Sequence, residues 1–408
     1  MEKADVVTVF LRDPCTGDVL LLRRSDETGS YTERWGAVSG YVEDETDDTE
    51  EDARREIREE TGMREDDVTF VRHSEPFVVR DEELEREWHV HPFLFDTWTR
   101  EVDTNYETTQ TDWCSPTELL RRETVPRLWD SYAAVAPSVE TVEGDDEHGS
   151  AYVAARALEV LRDTAATDSY EETRETAREL VEARPSMSVV GNRVARAAGG
   201  DTAEEIETDA HAAIERAKEA DVRAAENAAG RGEPRKVVTL SRSGTVAHAL
   251  AGLSPDETVV AESLPGGEGV VFAEELTEEH GVPTRIVPDS CVARETRDAD
   301  AVVVGADAVL PDATVVNKVG SFAAALAARH HGVPTFVVAS ADKIVPDGDE
   351  EAAYENEYVE VCGSRVAVFE RVPSVFVELV TEDSSFSRKD VRERAEEHAR
   401  LRARLYDG

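Results

Sequence analysis

Hydrophobic and polar positions change their period three times along this chain. Near the start, the apolar runs Val6–Leu11 and Asp18–Arg24 flank Pro14-Cys15-Thr16-Gly17, which predicts a β-hairpin. Val68–Val71 and Trp88–Phe95 continue that sheet. Between them lies a charged helix. Ala53 and Ile57, four residues apart, face a core, and Gly62 supplies the left-handed residue that ends it. From Ala151 to about Gly230 the period becomes helical, with Ala154, Ala157, Leu158 and Leu161 on one stripe. Beyond residue 235, five short apolar runs each lead into a loop and a helix: Val237–Leu240, Val259–Ala261, Arg285–Val287, Ala301–Val304 and Thr335–Val338. That alternation predicts an α/β fold with a doubly wound parallel sheet. The expected order is a first domain at 1–137, a linker at 138–150, a helical part at 151–232, the α/β part at 233–380 and a charged helix at 381–408.

Charge changes the picture of the surface. The chain of 408 residues carries a formal net charge of −44, and only six of its 45 basic residues are Lys. The acidity is spread over nearly every helix and loop. A surface of this kind repels phosphate backbones and argues against direct nucleic-acid binding. It suits molar salt, where screening shrinks to about 3 Å, so a halophilic, cytoplasmic protein is expected. No apolar run approaches the ~18 residues needed to span a bilayer, and Met1-Glu2-Lys3-Ala4-Asp5 does not read as a signal peptide. Cys15, Cys114, Cys291 and Cys362 lack the paired spacing of a zinc site or a disulfide framework.

The charged helix carries candidate chemistry. At about 100° per residue, Glu56, Glu59 and Glu60 fall on one stripe, where their mutual repulsion calls for a cation. Clustered oxygen ligands suit Mg²⁺ or Mn²⁺; a solvated acidic face is the alternative. Upstream stand Trp35-Gly36-Ala37-Val38-Ser39-Gly40-Tyr41-Val42-Glu43 and Glu45-Thr46, and Arg55–Met63 reads Arg-Glu-Ile-Arg-Glu-Glu-Thr-Gly-Met. This stretch resembles the box of the Nudix hydrolases. The spacing from Gly40 to Arg55 is one residue longer than in that family, and a glycine before Glu45 is missing. The resemblance implies an α/β/α sandwich closed by Asn105–Leu120. It also implies metal held by Glu56, Glu59, Glu60 and the Gly40 carbonyl. Glu56, Glu59 or Glu107 would act on the attacking water, and Arg55 would brace the loop through Glu45 or Asp47.

The loops after the five C-terminal strands form a second candidate site, since ligands of open parallel sheets bind at the strands' carboxyl ends. These loops carry Ser241-Arg242-Ser243-Gly244, Glu262-Ser263-Leu264-Pro265, Asp289, Gly305-Ala306-Asp307, Asn317-Lys318 and Lys343. A phosphorylated small molecule fits this lining; helix caps and solvated lysines are the alternatives. Gly305-Ala306-Asp307 and Asn317-Lys318-Val319-Gly320-Ser321, with Arg184-Pro185-Ser186 and Glu262-Ser263, resemble one family in particular. It joins methylthioribose-1-phosphate isomerase, ribose-1,5-bisphosphate isomerase and the alpha, beta and delta subunits of translation initiation factor 2B. That likeness covers roughly 150–380. It implies a helical part, a Rossmann-like part, a homodimer or higher homo-oligomer, and acid/base work by Asp307. Ser241 replaces the isomerases' Cys and Leu264 their substrate-binding Arg, which points to weakened isomerase chemistry. Cys291, on the loop after the third strand, is an alternative acid/base or a core residue.

Three functions follow as expectations. The first is a pyrophosphohydrolase of a nucleoside diphosphate derivative fused to a module binding a sugar phosphate or nucleotide. The second is a ribose-1,5-bisphosphate-type isomerase in nucleotide salvage. The third is a non-catalytic regulator that meets the initiation factor 2 complex. No membrane partner is expected.

Overall fold

The computed structural model describes residues 1–27, 29–43, 49–351, 358–361 and 363–407. They divide into two compact units. Unit 1 holds Met1–Val142, Ala155–Thr173 and Asp201–Ile214, and unit 2 holds Glu143–Ala154, Arg174–Gly200 and Glu215–Gly408. Within the stretch expected as a linker, Val139–Glu143 forms a short helix.

Unit 1 is built on an eight-stranded mixed sheet. Its axis is the parallel pairing of Glu2–Arg12 with Arg86–Thr97, in register from Glu2↔Arg86 to Arg12↔Asp96. Val19–Arg24 pairs antiparallel with the first strand, as the hairpin reading expects. Phe77–Asp81, which the sequence reading did not find, pairs antiparallel with Arg86–Thr97. Both faces of the central strands are covered, so their sequences are continuous apolar runs rather than alternating ones. Val7, Val9, Leu11, Leu20 and Leu22 pack with Ala53 and Ile57 of the carboxylate helix, Thr49–Thr61. Phe10, Val19, Leu21 and Leu94 pack on the other side with Leu128 and Tyr132 of Leu128–Ala133.

The helix Ser150–Thr167 buries Ala154, Ala157, Leu158 and Leu161 completely, the stripe read from its period. Inside unit 1 it also carries charges into the interior. Arg12, 1% exposed, grips Asp96 at 2.7 and 3.0 Å and Glu159 at 3.0 Å. Arg162 donates to the Gly17 carbonyl at 3.0 Å, and the Tyr132 hydroxyl donates to Asp163 at 2.8 Å. Buried charges persist only when paired and hydrogen-bonded in this way.

Unit 2 holds six parallel strands in the spatial order Thr284–Val287, Glu257–Ala261, Lys236–Thr239, Ala301–Val304, Thr335–Val338 and Glu378–Thr381, with Ser384–Phe386 antiparallel at the edge. Numbered along the chain, the parallel strands lie 3-2-1-4-5-6, the Rossmann order. Val238, Val259, Val302 and Val337 point to one helical layer, where Ala324 and Val391 lie. Val237, Val260, Val303 and Val338 point to the other, with Leu250 and Phe272. The sheet is therefore doubly wound, as expected. Ser387 opens the final helix, Arg388–Tyr406, with a capping box to Asp390. Among the described residues, no helix is long and apolar enough to cross a membrane.

Candidate functional site

In unit 1 the helix Thr49–Thr61 buries Ala53 and Ile57, which turns its glutamate stripe toward the Ser39–Tyr41 strand end. Glu60 is 7% exposed and accepts the Ser39 N–H at 3.3 Å. Burial pushes its carboxyl up to about 8, against the pull of that N–H, and the nearby Glu56 and Glu107 push the same way. The Glu56 carboxyl is also raised, by burial first, with Arg55 pulling it back. A Cβ on Gly40 would fall 2.0–2.4 Å from the Glu56 carboxylate, so any other residue here would push that carboxylate out of its place. The Arg55 guanidinium donates to the Tyr41 carbonyl at 2.9 Å and to Glu56 at 3.0 Å, and pairs with Asp52 and Glu43. The partners expected for it, Glu45 and Asp47, lie outside the described residues.

Glu56, Glu59, Glu60 and Glu107 line one cleft of about 630 Å³. Asn105, which the sequence reading named only as the start of the closing segment and gave no role in the site, ties the last of them to the helix. Its amide donates to the Glu59 carbonyl at 3.3 Å, and its carbonyl oxygen accepts the Glu107 N–H at 2.9 Å. Its only sequence signal was its place two residues before Glu107. All-oxygen donors, crowded and partly desolvated, are what a hard divalent cation requires. The expected metal ligands Gly40, Glu56, Glu59 and Glu60 line this one cleft, but among the described residues the group whose donor atoms lie within 4.8 Å of one another is Glu275, Glu279 and His280, so Glu56, Glu59 and Glu60 would have to draw in around an ion.

In unit 2 the loops meet at the switch point between Lys236–Thr239 and Ala301–Val304. Ser241 has φ +63, and its N–H donates to Ser263 Oγ at 2.6 Å. Ser243 caps the helix Gly244–Leu253 by accepting the Val246 N–H, and a Cβ on Gly305 would sit 3.2 Å from its hydroxyl. With the Asn317 amide turned to satisfy both its ends, its nitrogen donates to the Gly305 carbonyl and to Asp307, each at 3.2 Å. Lys343 donates to the Ala306 carbonyl at 2.6 Å. The backbone of Glu262 bonds to Val287 and Gly269. Lys318, 4% exposed, pairs with Glu268. Arg242 pairs with Glu275 at 2.8 Å, and Arg184 is held by Asp146 at 3.2 Å and by the Asp145 carbonyl. Cys291 packs against the hydrophobic core. Asp342, next to Lys343, was missed: burial raises its carboxyl, but Arg193 and Arg196 outweigh that and hold it well below the carboxylate range. Nothing in its sequence context separated it from an ordinary loop aspartate.

The two sites define a fusion. A model of the NUDIX domain matches residues 2–135. A model of the initiation factor 2 subunit family matches 146–368, more than half of the chain, and the chain belongs to that family. Among similar proteins, the ribose 1,5-bisphosphate isomerase of Haloferax volcanii is 42% identical over 90 residues, covering 22% of this chain and 28% of that protein. The match thus spans well under two thirds of that relative. The ribose 1,5-bisphosphate isomerase of Haloterrigena turkmenica is 29% identical over 237 residues, 53% of this chain and 72% of that protein. The crystal structure of the Pyrococcus horikoshii translation initiation factor eIF-2B superposes with a TM-score of 0.54 at 22% identity, covering 60% of this chain and 94% of that one. That likeness bears on the fold alone.

Proposed function

We infer that unit 1 hydrolyses a phosphoanhydride bond in a nucleoside diphosphate derivative. The observation that carries this is the gathering of four carboxylates along one cleft, one of them raised to about 8, chiefly by burial. Glu56, Glu59, Glu60 and the Gly40 carbonyl would hold Mg²⁺ or Mn²⁺. Such an ion, when bound, neutralises diphosphate oxygens and acidifies water. Arg55 keeps Glu56 and the strand end at Tyr41 in register. Glu107, on the far side of the Asn105 bridge, accepts the proton of the attacking water at its carboxylate.

The test is phosphate and pyrophosphate release from nucleotides, nucleotide sugars and dinucleotides with Mg²⁺ in molar KCl. Glu59→Gln should reduce turnover by about 100-fold or more. Equal rates for wild type and variant on every accepted substrate would sink the reading.

Unit 2 supports a second reading, a binding or regulatory module rather than an isomerase. Ser241 offers a hydroxyl where acid/base work wants a thiol, and Leu264 offers no charge. Turnover of ribose 1,5-bisphosphate that disappears in Asp307→Asn would restore the isomerase.

A further inference from the structure

Outside the crevice loops, unit 2 brings histidine and carboxylate together on two helices. Gly244–Leu253 and Glu268–Glu278 both belong to the layer that holds Leu250 and Phe272. Their apolar residues are buried there, while His248 and Glu279 are exposed. Glu275 and Glu279 stand one helical turn apart, with Glu279 as the C-cap, and His280 follows. One ligand atom from each of these three lies within 4.8 Å of the other two. His248, from the other helix, meets His280 edge to face, with ring centroids 5.4 Å apart and planes at 65°.

Three independent features of this cluster suit a cation. The first is charge. The last turn of an α-helix is the negative end of its dipole, where carboxylates are disfavoured and cations welcome. Glu275, Glu278 and Glu279 nonetheless stand there, and that turn holds no basic residue. The second is the His248 tautomer. Its Nδ1 lies 2.7 Å from the Gly244 carbonyl, which can only accept, so Nδ1 carries the proton and the neutral ring keeps its Nε2 lone pair for a ligand bond. The third is spacing. Two imidazoles on one tetrahedral ion, with metal–nitrogen bonds of about 2.1 Å, have centroids roughly 5 Å apart. Arg242 donates to one oxygen of Glu275 at 2.8 Å and orients that carboxylate, as the partners of metal ligands do.

We propose that Glu275, Glu279, His280 and His248 form a structural Zn²⁺ site. Imidazole ligands favour this borderline-soft ion over Mg²⁺, which sets the site apart from the all-oxygen cleft of unit 1. His248 stands outside the closely placed three and completes the set once the rings close on the ion. A bound ion clamps the end of one helix to the flank of the other. None of this depends on the hydrolysis inferred for unit 1.

The test is equilibrium dialysis of the full chain, stripped with EDTA, against Zn²⁺ in molar KCl. His280→Ala should weaken zinc binding at this site by roughly 100-fold, the upper end of what losing even a partner of a ligand costs. Hydrolysis with Mg²⁺ and the melting temperature in EDTA should stay at wild-type values. Glu59→Gln should keep this site, so a failure of the unit 1 reading leaves it standing. Anomalous diffraction at the zinc edge from soaked crystals should place an ion between Glu275 and His280. Equal zinc binding by wild type and His280→Ala, or an anomalous map without a peak at His280, overturns the proposal. Should His280→Ala fail to fold, Glu279→Gln takes its place under the same criterion.

Discussion

Glu60 makes the stability of unit 1 depend on pH in an unusual direction. Its carboxyl moves from 4.5 when solvated to about 8 when folded, chiefly through burial. Below pH 4.5 both states hold the proton. Between 4.5 and 8 the unfolded chain releases it and the folded chain does not, so stability falls as pH rises, by up to about 1.4 kcal/mol per pH unit. From pH 5 to 7 this amounts to about 2.7 kcal/mol, or roughly 5–10 °C in Tm for a unit of this size. Metal binding needs the ionised carboxylate and should reverse the loss. The assay is thermal unfolding in EDTA across pH 5–8, repeated with saturating Mg²⁺. Wild type in EDTA should lose Tm with rising pH, Mg²⁺ should flatten the slope, and Glu60→Gln should remove most of it. A flat profile for wild type in EDTA, or an equal slope in Glu60→Gln, would refute the reasoning.

Two further outcomes follow from geometry already described. Gly40→Ala places a methyl on the Glu56 carboxylate and should cut hydrolysis by about 100-fold with little change in Tm, since only the carboxylate has to move; kinetics beside a melting curve checks this. Arg12→Met removes the buried cation that grips Asp96 and leaves Glu159 with Arg156 alone, and should destabilise unit 1 by about 3 kcal/mol, read by denaturant unfolding of the full chain.

The sequence carried the parts of the molecule whose signal is local. Runs such as Val19–Arg24 and Ala301–Val304 are apolar because both faces of each sheet are covered, so they stand out without neighbours. The glutamate stripe is legible because helical spacing alone puts Glu56, Glu59 and Glu60 together. Glu378–Thr381 was not read as the sixth strand, because four residues after a turn carry no period of their own and only the pairing with Thr335–Val338 defines them. Asp289, Glu268 and Glu370 show the same limit in chemistry. Each is an ordinary acidic residue in a chain full of them. Only long-range contacts across 25 to 50 positions reveal which backbone groups or cations they meet.

Unit 1 is not a continuous stretch of chain. It takes Met1–Val142, then Ala155–Thr173, then Asp201–Ile214, with the intervening pieces assigned to unit 2. Emerging from a ribosome, the first 142 residues would lack Glu159, the carboxylate that faces Arg12, and Asp163, which receives the Tyr132 hydroxyl. Unit 1 therefore cannot finish folding until about residue 214 has been made. By then the Arg174–Gly200 portion of the other half has already been made. The order of synthesis makes the two halves one folding problem, and a recombination event that cut the chain after Val142 would take from unit 1 the carboxylates Glu159 and Asp163.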